Sequence, residues 1–235
     1  SDVCSSDLMN NETAATSGIT GSPNISTTAN TSSSVGSYTI SIAAGNLASV
    51  NYSFSTFQAG TLTVAKAPLN VTAKDATRVY GAANPVFSVT YSGLVNNDQL
   101  SKTVTGTPSI TTPATASSPV GIYDIIPGQG TLTVSNNYYL NYLFGKLSVT
   151  KANLSVIAQN AIRAYGAGNP TFSVGFSGFL NGDTYATSNI TGLATFTTTA
   201  TLASPVGNYS LTPSVGTLRS EEHTSELQSL AYLVC

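Results

Sequence analysis

The sequence predicts an all-β protein built of tandem modules of about 85 residues each. Three observations carry that prediction. A long motif recurs at a constant spacing, apolar and polar residues alternate with a period of two inside each recurrence, and no stretch carries a 3.6-residue apolar stripe.

Repeats decide the architecture and are taken first. The stretch "KDATRVYGAANPVFSVTYSG" over 74–93 recurs as "QNAIRAYGAGNPTFSVGFSG" over 159–178. Arg78 corresponds to Arg163, Tyr80-Gly81 to Tyr165-Gly166 and Asn84-Pro85 to Asn169-Pro170, each 85 positions on. Upstream, "ITGSPNI" (19–25) matches "VTGTPSI" (104–110), and Lys66-Ala67 matches Lys151-Ala152. "SPVGNYS" (204–210) answers "SPVGIYD" (118–124) at a spacing of 86, so one residue is inserted in between. The expected organisation is the latter part of one module over 9–67, a complete module over 68–152 and the first part of a third over 153–218. Lys66-Ala67-Pro68 and Lys151-Ala152-Asn153 are the expected joints.

Both ends depart from this pattern. "SDVCSSDL" (1–8) and "RSEEHTSE" (219–226) can be encoded by reverse-complementary DNA, a relation with no physical basis in a folded chain. Both resemble a translated sequencing adapter, and the resemblance extends to Cys235. Residues 1–8 and 219–235 are therefore set aside as adapter-like artefact and are expected to pack against nothing in the modules. That removes both cysteines and the single histidine, His223. The remaining 9–218 holds seven basic and five acidic residues, a net charge of +2 against −2 for the whole chain. Such a balance predicts no nucleic-acid partner. No apolar run approaches the roughly 20 residues of a membrane-spanning helix.

Each module reads as strands. "LNVTAK" (69–74) and "FSVTYS" (87–92) alternate apolar and polar residues, and "GIYDII" (121–126), "GTLTV" (130–134), "YYLNYLF" (138–144) and "KLSVT" (146–150) follow. Such runs, bounded by Gly, Pro and Asn, signal half-buried strands. One helical turn is expected after Asp98 or Asp183, where the carboxylate could cap backbone N–H groups. Two topologies satisfy this spacing: a small immunoglobulin-like β-sandwich and a β-grasp-like sheet with a short helix.

The most faithful motif is Tyr-Gly-Ala-x-Asn-Pro, in which Gly supplies positive φ and Pro holds the preceding Asn extended. With the entry "KAxLxV" (66–71, 151–156), "SGxxNxD" (92–98, 177–183), "PVGxY" (119–123, 205–209) and the closing "GxLxVxKA" (60–67, 145–152), the ordered set resembles the MBG module family of the Tyr-Gly-X type. Those modules occur in tandem in very large bacterial surface proteins and adhesins. The resemblance covers nearly all of 9–218 and implies an extracellular, non-catalytic repeat whose partners are neighbouring repeats, with a glycan or a host or surface protein as a further class of partner.

Candidate site residues are few. Asp98 and Asp183 sit in "NNDQ" and "NGDT", faintly like calcium loops, but each module offers few further oxygen ligands. A turn or cap is the expected role, and no metal or cofactor is assigned. Arg78 and Arg163 are expected to pair with these aspartates or to stack on Tyr80 and Tyr165. Tyr138, Tyr139 and Tyr142 are either core or a sugar-stacking platform. Asn-x-Ser/Thr triplets, as at Asn70 and Asn153, are frequent through composition alone. With no His or Cys in 9–218, neither a Ser-His pair nor a thiolate nucleophile can be built. The carboxylates Glu12, Asp75, Asp98, Asp124 and Asp183 form no repeating pair, since Asn160 and Ser210 replace Asp75 and Asp124 in the third module. No catalytic residue is assigned. The expected function is a stalk or spacer in a bacterial surface or secreted protein; the alternatives are an adhesive module that binds glycan or protein, and a phage-tail or biofilm-matrix fibre.

Overall fold

The computed structural model describes residues 8–9, 12–13 and 15–220, so 1–7 and 221–235, where the expectation of unpacked ends mostly falls, lie outside the described residues. The first repeat holds β1 (Asn24–Thr27), β2 (Gly36–Ala43) and β3 (Gly60–Val64). The middle repeat opens with β4 (Ala67–Ala73), β5 (Ala76–Val79), β6 (Val89–Ser92) and a helical turn, α1 (Leu100–Thr103). It continues with β7 (Val104–Thr105), β8 (Ser109–Thr111), β9 (Gly121–Gly128), β10 (Thr133–Val134), β11 (Tyr138–Leu143) and β12 (Gly145–Thr150). The third holds β13 (Ser155–Ala158), β14 (Val174–Ser177), β15 (Ile190–Thr191), β16 (Thr195–Thr198), β17 (Leu211–Ser214) and β18 (Arg219–Ser220). The fold is all-β: α1 is the one helix among the described residues.

The chain divides into two compact units that do not follow the repeat boundaries. The first comprises 1–73, 88–111 and 126–144, the second 74–87, 112–125 and 145–235. In the first, β1, β2 and β3 form an antiparallel meander. β4 lies between β11, to which it is parallel, and β6, to which it is antiparallel. β7 pairs with β10, and β8 with the last three residues of β9. Leu69, Val71 and Ala73 alternate along β4 and are buried, with Leu132 and Tyr138 from the same unit. Each such aliphatic side chain stabilises by about 1.5–3 kcal/mol relative to an exposed one.

In the second unit β12 lies between β5, to which it is parallel, and the first part of β9, to which it is antiparallel. Leu147 and Val149 of β12 and Ile125 of β9 are buried. β13 pairs with β14, and β16 with β17. The parallel pairs β4–β11 and β5–β12 join the opening of the middle repeat to its close. Parallel neighbours cannot be joined by a hairpin, and they set the repeat apart from the antiparallel sheets of an immunoglobulin domain.

Three expectations are corrected. The strand expected at 130–134 is confined to Thr133–Val134, because Gly130 turns the chain at φ +52° against the backbone of Thr107 and Ser109. No helix follows Asp183, where Thr184–Ser188 makes only hydrogen-bonded turns. Arg219–Ser220 is not free of the modules. As β18 it pairs with Ile190–Thr191, as β10 pairs with β7 one repeat earlier. A ladder is made by backbone groups, so whichever residues follow Leu218 can fill that edge.

Candidate functional site at the repeat joints

The same local device closes a loop in each repeat. Glu12 N–H donates to Met9 O (3.2 Å), Asp98 N–H to Val95 O (3.0 Å) and Asp183 N–H to Leu180 O (2.9 Å). A second turn follows at once, with Thr16 and Ser17 donating to Thr13 O, Lys102 and Thr103 to Gln99 O, and Thr187 and Ser188 to Thr184 O. Asparagine makes the approach possible, since Asn96, Asn97 and Asn181 hold positive φ that β-branched residues resist.

Each acid then receives a tyrosine. Tyr52 O–H donates to Glu12 Oε2 (2.6 Å) while accepting Met9 N–H (3.1 Å). Tyr138 O–H donates to Asp98 Oδ2 (2.7 Å) while accepting Val95 N–H (3.0 Å). Both hydroxyls are held protonated. The bond to Glu12 raises the Tyr52 pKa, and burial raises that of Tyr138, with the Asp98 carboxylate adding to it. In the third repeat Asp183 Oδ2 takes the hydroxyl of Tyr80, from the repeat before (3.0 Å).

A second device pins the Tyr-Gly-Ala-x-Asn-Pro turn. Arg78 is buried, and its Nε donates to Asn84 Oδ1 (2.7 Å), its Nη1 to Val79 O (3.2 Å) and its Nη2 to Thr115 O. Asn84 Nδ2 in turn donates to Ala114 O (2.6 Å). The third repeat repeats it: Arg163 donates to Ala167 O (2.8 Å) and Thr201 O, and Asn169 Nδ2 to Ala200 O (2.9 Å). The guanidinium thus ties the turn to carbonyls of a neighbouring loop through charge-assisted bonds.

The joints lie where these devices meet. Lys66 stands between β3 and β4, and Lys151 between β12 and β13. At the first joint Asn137 Oδ1 accepts Val35 N–H (3.0 Å) and Asn137 O accepts Ala67 N–H (2.9 Å). At the second, besides the Tyr80–Asp183 bond, Asn181 Nδ2 donates to Ala116 O (3.3 Å). Gly81, at φ +82°, lies so near Leu180 that an added Cβ would meet its Cδ1 at 2.7 Å.

Several site expectations change. Asp98 and Asp183 are turn residues, but neither caps a helix. Gln99 is the N-cap of α1 without a side-chain bond, and the Asp98 carboxylate is engaged by Tyr138. Arg78 and Arg163 pair with neither aspartate, because backbone carbonyls and Asn84 take their donors. Among the described residues the ion pair that forms is Lys146–Asp124 (2.5 Å), exposed on both sides and worth little in water. Tyr138, Tyr139 and Tyr142 form no platform: on β11 Tyr138 is 1 % exposed, Tyr139 points the opposite way at 49 %, and Tyr142 turns inward again. Among the described residues no three acidic, His or Cys side chains gather where a metal could be held.

The matching to known proteins follows this repetition. The MBG domain (YGX type) matches the chain three times, over 2–63, 69–148 and 154–220. The chain belongs to this family. No curated protein and no solved structure matches it. No helix among the described residues is long and apolar enough to cross a membrane.

Proposed function

We propose that this chain is a non-catalytic stretch of a bacterial surface or secreted adhesin-like protein, and that its repeats act as a stalk. Each repeat is a folded link whose role is to hold other parts of the protein at a distance. The observation that supports this reading is that the recurring polar residues are spent on structure. Glu12, Asp98 and Asp183 each hold a tyrosine, Arg78 and Arg163 hold loop carbonyls, and Tyr80 and Asn181 tie one repeat to the next. Stability of such arrays is the sum of link and nearest-neighbour terms, and a bond such as Tyr80–Asp183 is a neighbour term. A binding module would need polar or aromatic groups left over for a ligand.

The test is to insert further copies of 68–152 in tandem and to measure the maximum dimension by small-angle X-ray scattering. A stalk lengthens by a constant step for each copy added. A dimension that barely grows with copy number overturns the reading, as does saturable binding of a defined glycan to every added repeat.

A further inference from the structure

The middle repeat begins and ends on strands that run side by side in the same direction. In the first unit β4 lies parallel to β11, and in the second β5 lies parallel to β12. One register, 71 positions apart, holds in both ladders, from Ala67 opposite Tyr138 to Val79 opposite Thr150. Just before β5 the Asp75 carboxylate accepts Lys146 N–H (2.7 Å) at that same spacing, so a side chain adds a rung where the strand stops. Ala67 N–H donates to Asn137 O (2.9 Å), and Tyr80 N–H to Thr150 O (2.8 Å), one rung beyond β5. The entry strand β4 is held on its other edge by β6 and the exit strand β12 by β9, both antiparallel. Leu69 and Val71 of β4, and Leu147 and Val149 of β12, are buried, which keeps water from one face of each ladder.

In a tandem array, tension enters this repeat at Ala67 and leaves it at Thr150, since the flanking repeats continue from Lys66 and Lys151. Parallel strands have their starts together and their ends together. Within each ladder, then, the load enters at the start of one strand and leaves at the end of its partner. Such a pull acts along the strands and strains all rungs at once. Antiparallel entry and exit strands would take the same pull at one end and open rung by rung. We propose that the middle repeat is a tension-bearing link, in which the paired entry and exit strands form a shear clamp against pulling along the chain. The clamp deepens the stalk reading and rests on it for the source of the tension. Resistance to force is set by the rate of unfolding, and here no rung can yield before its neighbours.

The test is single-molecule force spectroscopy on the whole chain. Handles on Cys4 and Cys235, its two cysteines, bring the load to the middle repeat along the chain. A second protein carries Cys4→Ser, Cys235→Ser, Lys66→Cys and Asn136→Cys. Its handles sit at exposed positions just before β4 and β11, so the same ladder is peeled from one end. The expected result in the first geometry is one dominant unfolding event that releases roughly 25–30 nm of chain, at about 3.6 Å per residue. At equal pulling speed its force should exceed that of the second geometry at least about twofold, because shear slows forced unfolding and peeling does not. Asp75→Ala removes one rung and should lower the force in the first geometry while leaving the second unchanged. Equal forces in the two geometries, no event of that length, or an equal loss in both on Asp75→Ala would overturn the proposal. The stalk reading fails separately: a chain that gains a constant length per inserted repeat in scattering, yet yields without a dominant event, keeps the stalk and loses the clamp.

Discussion

The middle and third repeats carry nearly the same pattern and treat it differently. Their turns agree. Arg78 and Arg163 hold equivalent carbonyls, Gly81 and Gly166 sit at φ +82° and +77°, and Asp98 and Asp183 close the same loop. Their cores do not. Leu69, Val71, Ala73, Ala114, Ile125 and Leu132 are buried, while Leu154, Val156, Ala158, Ala200, Leu211 and Leu218 are only half-buried. Turn chemistry is settled by residues close in sequence. Burial in this fold is settled by β11 and β12, which arrive some 70 residues after the strands they cover, as Tyr138 on Ala67 and Leu147 on Ala76.

The most direct way to break that contrast is to delete equivalent side chains. Leu69→Ala removes a fully buried leucine from a paired central strand and should cost about 2–5 kcal/mol. Leu154→Ala, at the matching position, should cost under about 1.5 kcal/mol, because less area leaves water in the first place. Amide exchange of β4 and of β13, read in one urea series, measures both. Equal losses would mean that the third repeat has a closed core.

This contrast also marks what could be read from residues alone. The repeat spacing, the β-class and most strands of the middle repeat follow from alternation and from Gly, Pro and Asn at its interruptions. Of the two aspartates that mark a helical turn in the sequence, Asp98 is followed by α1 and Asp183 by hydrogen-bonded turns alone. The Arg78–Asn84 association is hinted at by their joint recurrence as Arg163 and Asn169. Their partners could not be named, since carbonyls of Ala114 and Thr115 have no side-chain signature. Nor could the acid–tyrosine bonds: Tyr138 lies 40 positions beyond Asp98, and the apolar run around it reads as core. Short β5, β7 and β8 escape notice because pairing, more than composition, makes them strands.

A second comparison concerns the arginines and carries a smaller effect. Arg78→Ala removes a buried guanidinium and takes the donors from Asn84 Oδ1 and from the carbonyls of Val79 and Thr115, at a cost of roughly 1–3 kcal/mol. Arg163→Ala strips a more exposed loop, where water replaces the guanidinium, and should cost about 1 kcal/mol or less. Arg78→Lys should recover little, because an ammonium cannot reproduce three donors in a planar fork. Thermal unfolding followed by circular dichroism ranks the three. If Arg163→Ala proves as damaging as Arg78→Ala, the loops are equally closed and the difference lies in the strands alone.

The smallest expected effect is a loss of stability at alkaline pH in the middle repeat. Burial raises the pKa of Tyr91, Tyr138 and Tyr142, with Asp98 adding at Tyr138 and Tyr91 at Tyr142. A folded pKa above the unfolded value means that the unfolded chain loses its proton first. The associated stability is therefore complete below the unfolded value, near 10, and is lost as pH rises through the folded values. In the third repeat Phe176 stands at the position of Tyr91 and has nothing to ionise. Raising the pH above about 10 should thus loosen β4, β6 and β11 before β13 and β14, read by amide exchange beside tyrosinate absorbance. Two variants of β11 separate the causes. Tyr138→Phe gives up its bonds to Asp98 and Val95 and should lower stability already at neutral pH. Tyr142→Phe deletes a buried hydroxyl that has no partner, so neutral stability should hold or rise while the alkaline loss shrinks. Should Tyr142→Phe destabilise the protein at neutral pH as much as Tyr138→Phe does, that hydroxyl is satisfied after all, and the inward face of β11 is more polar than its packing implies.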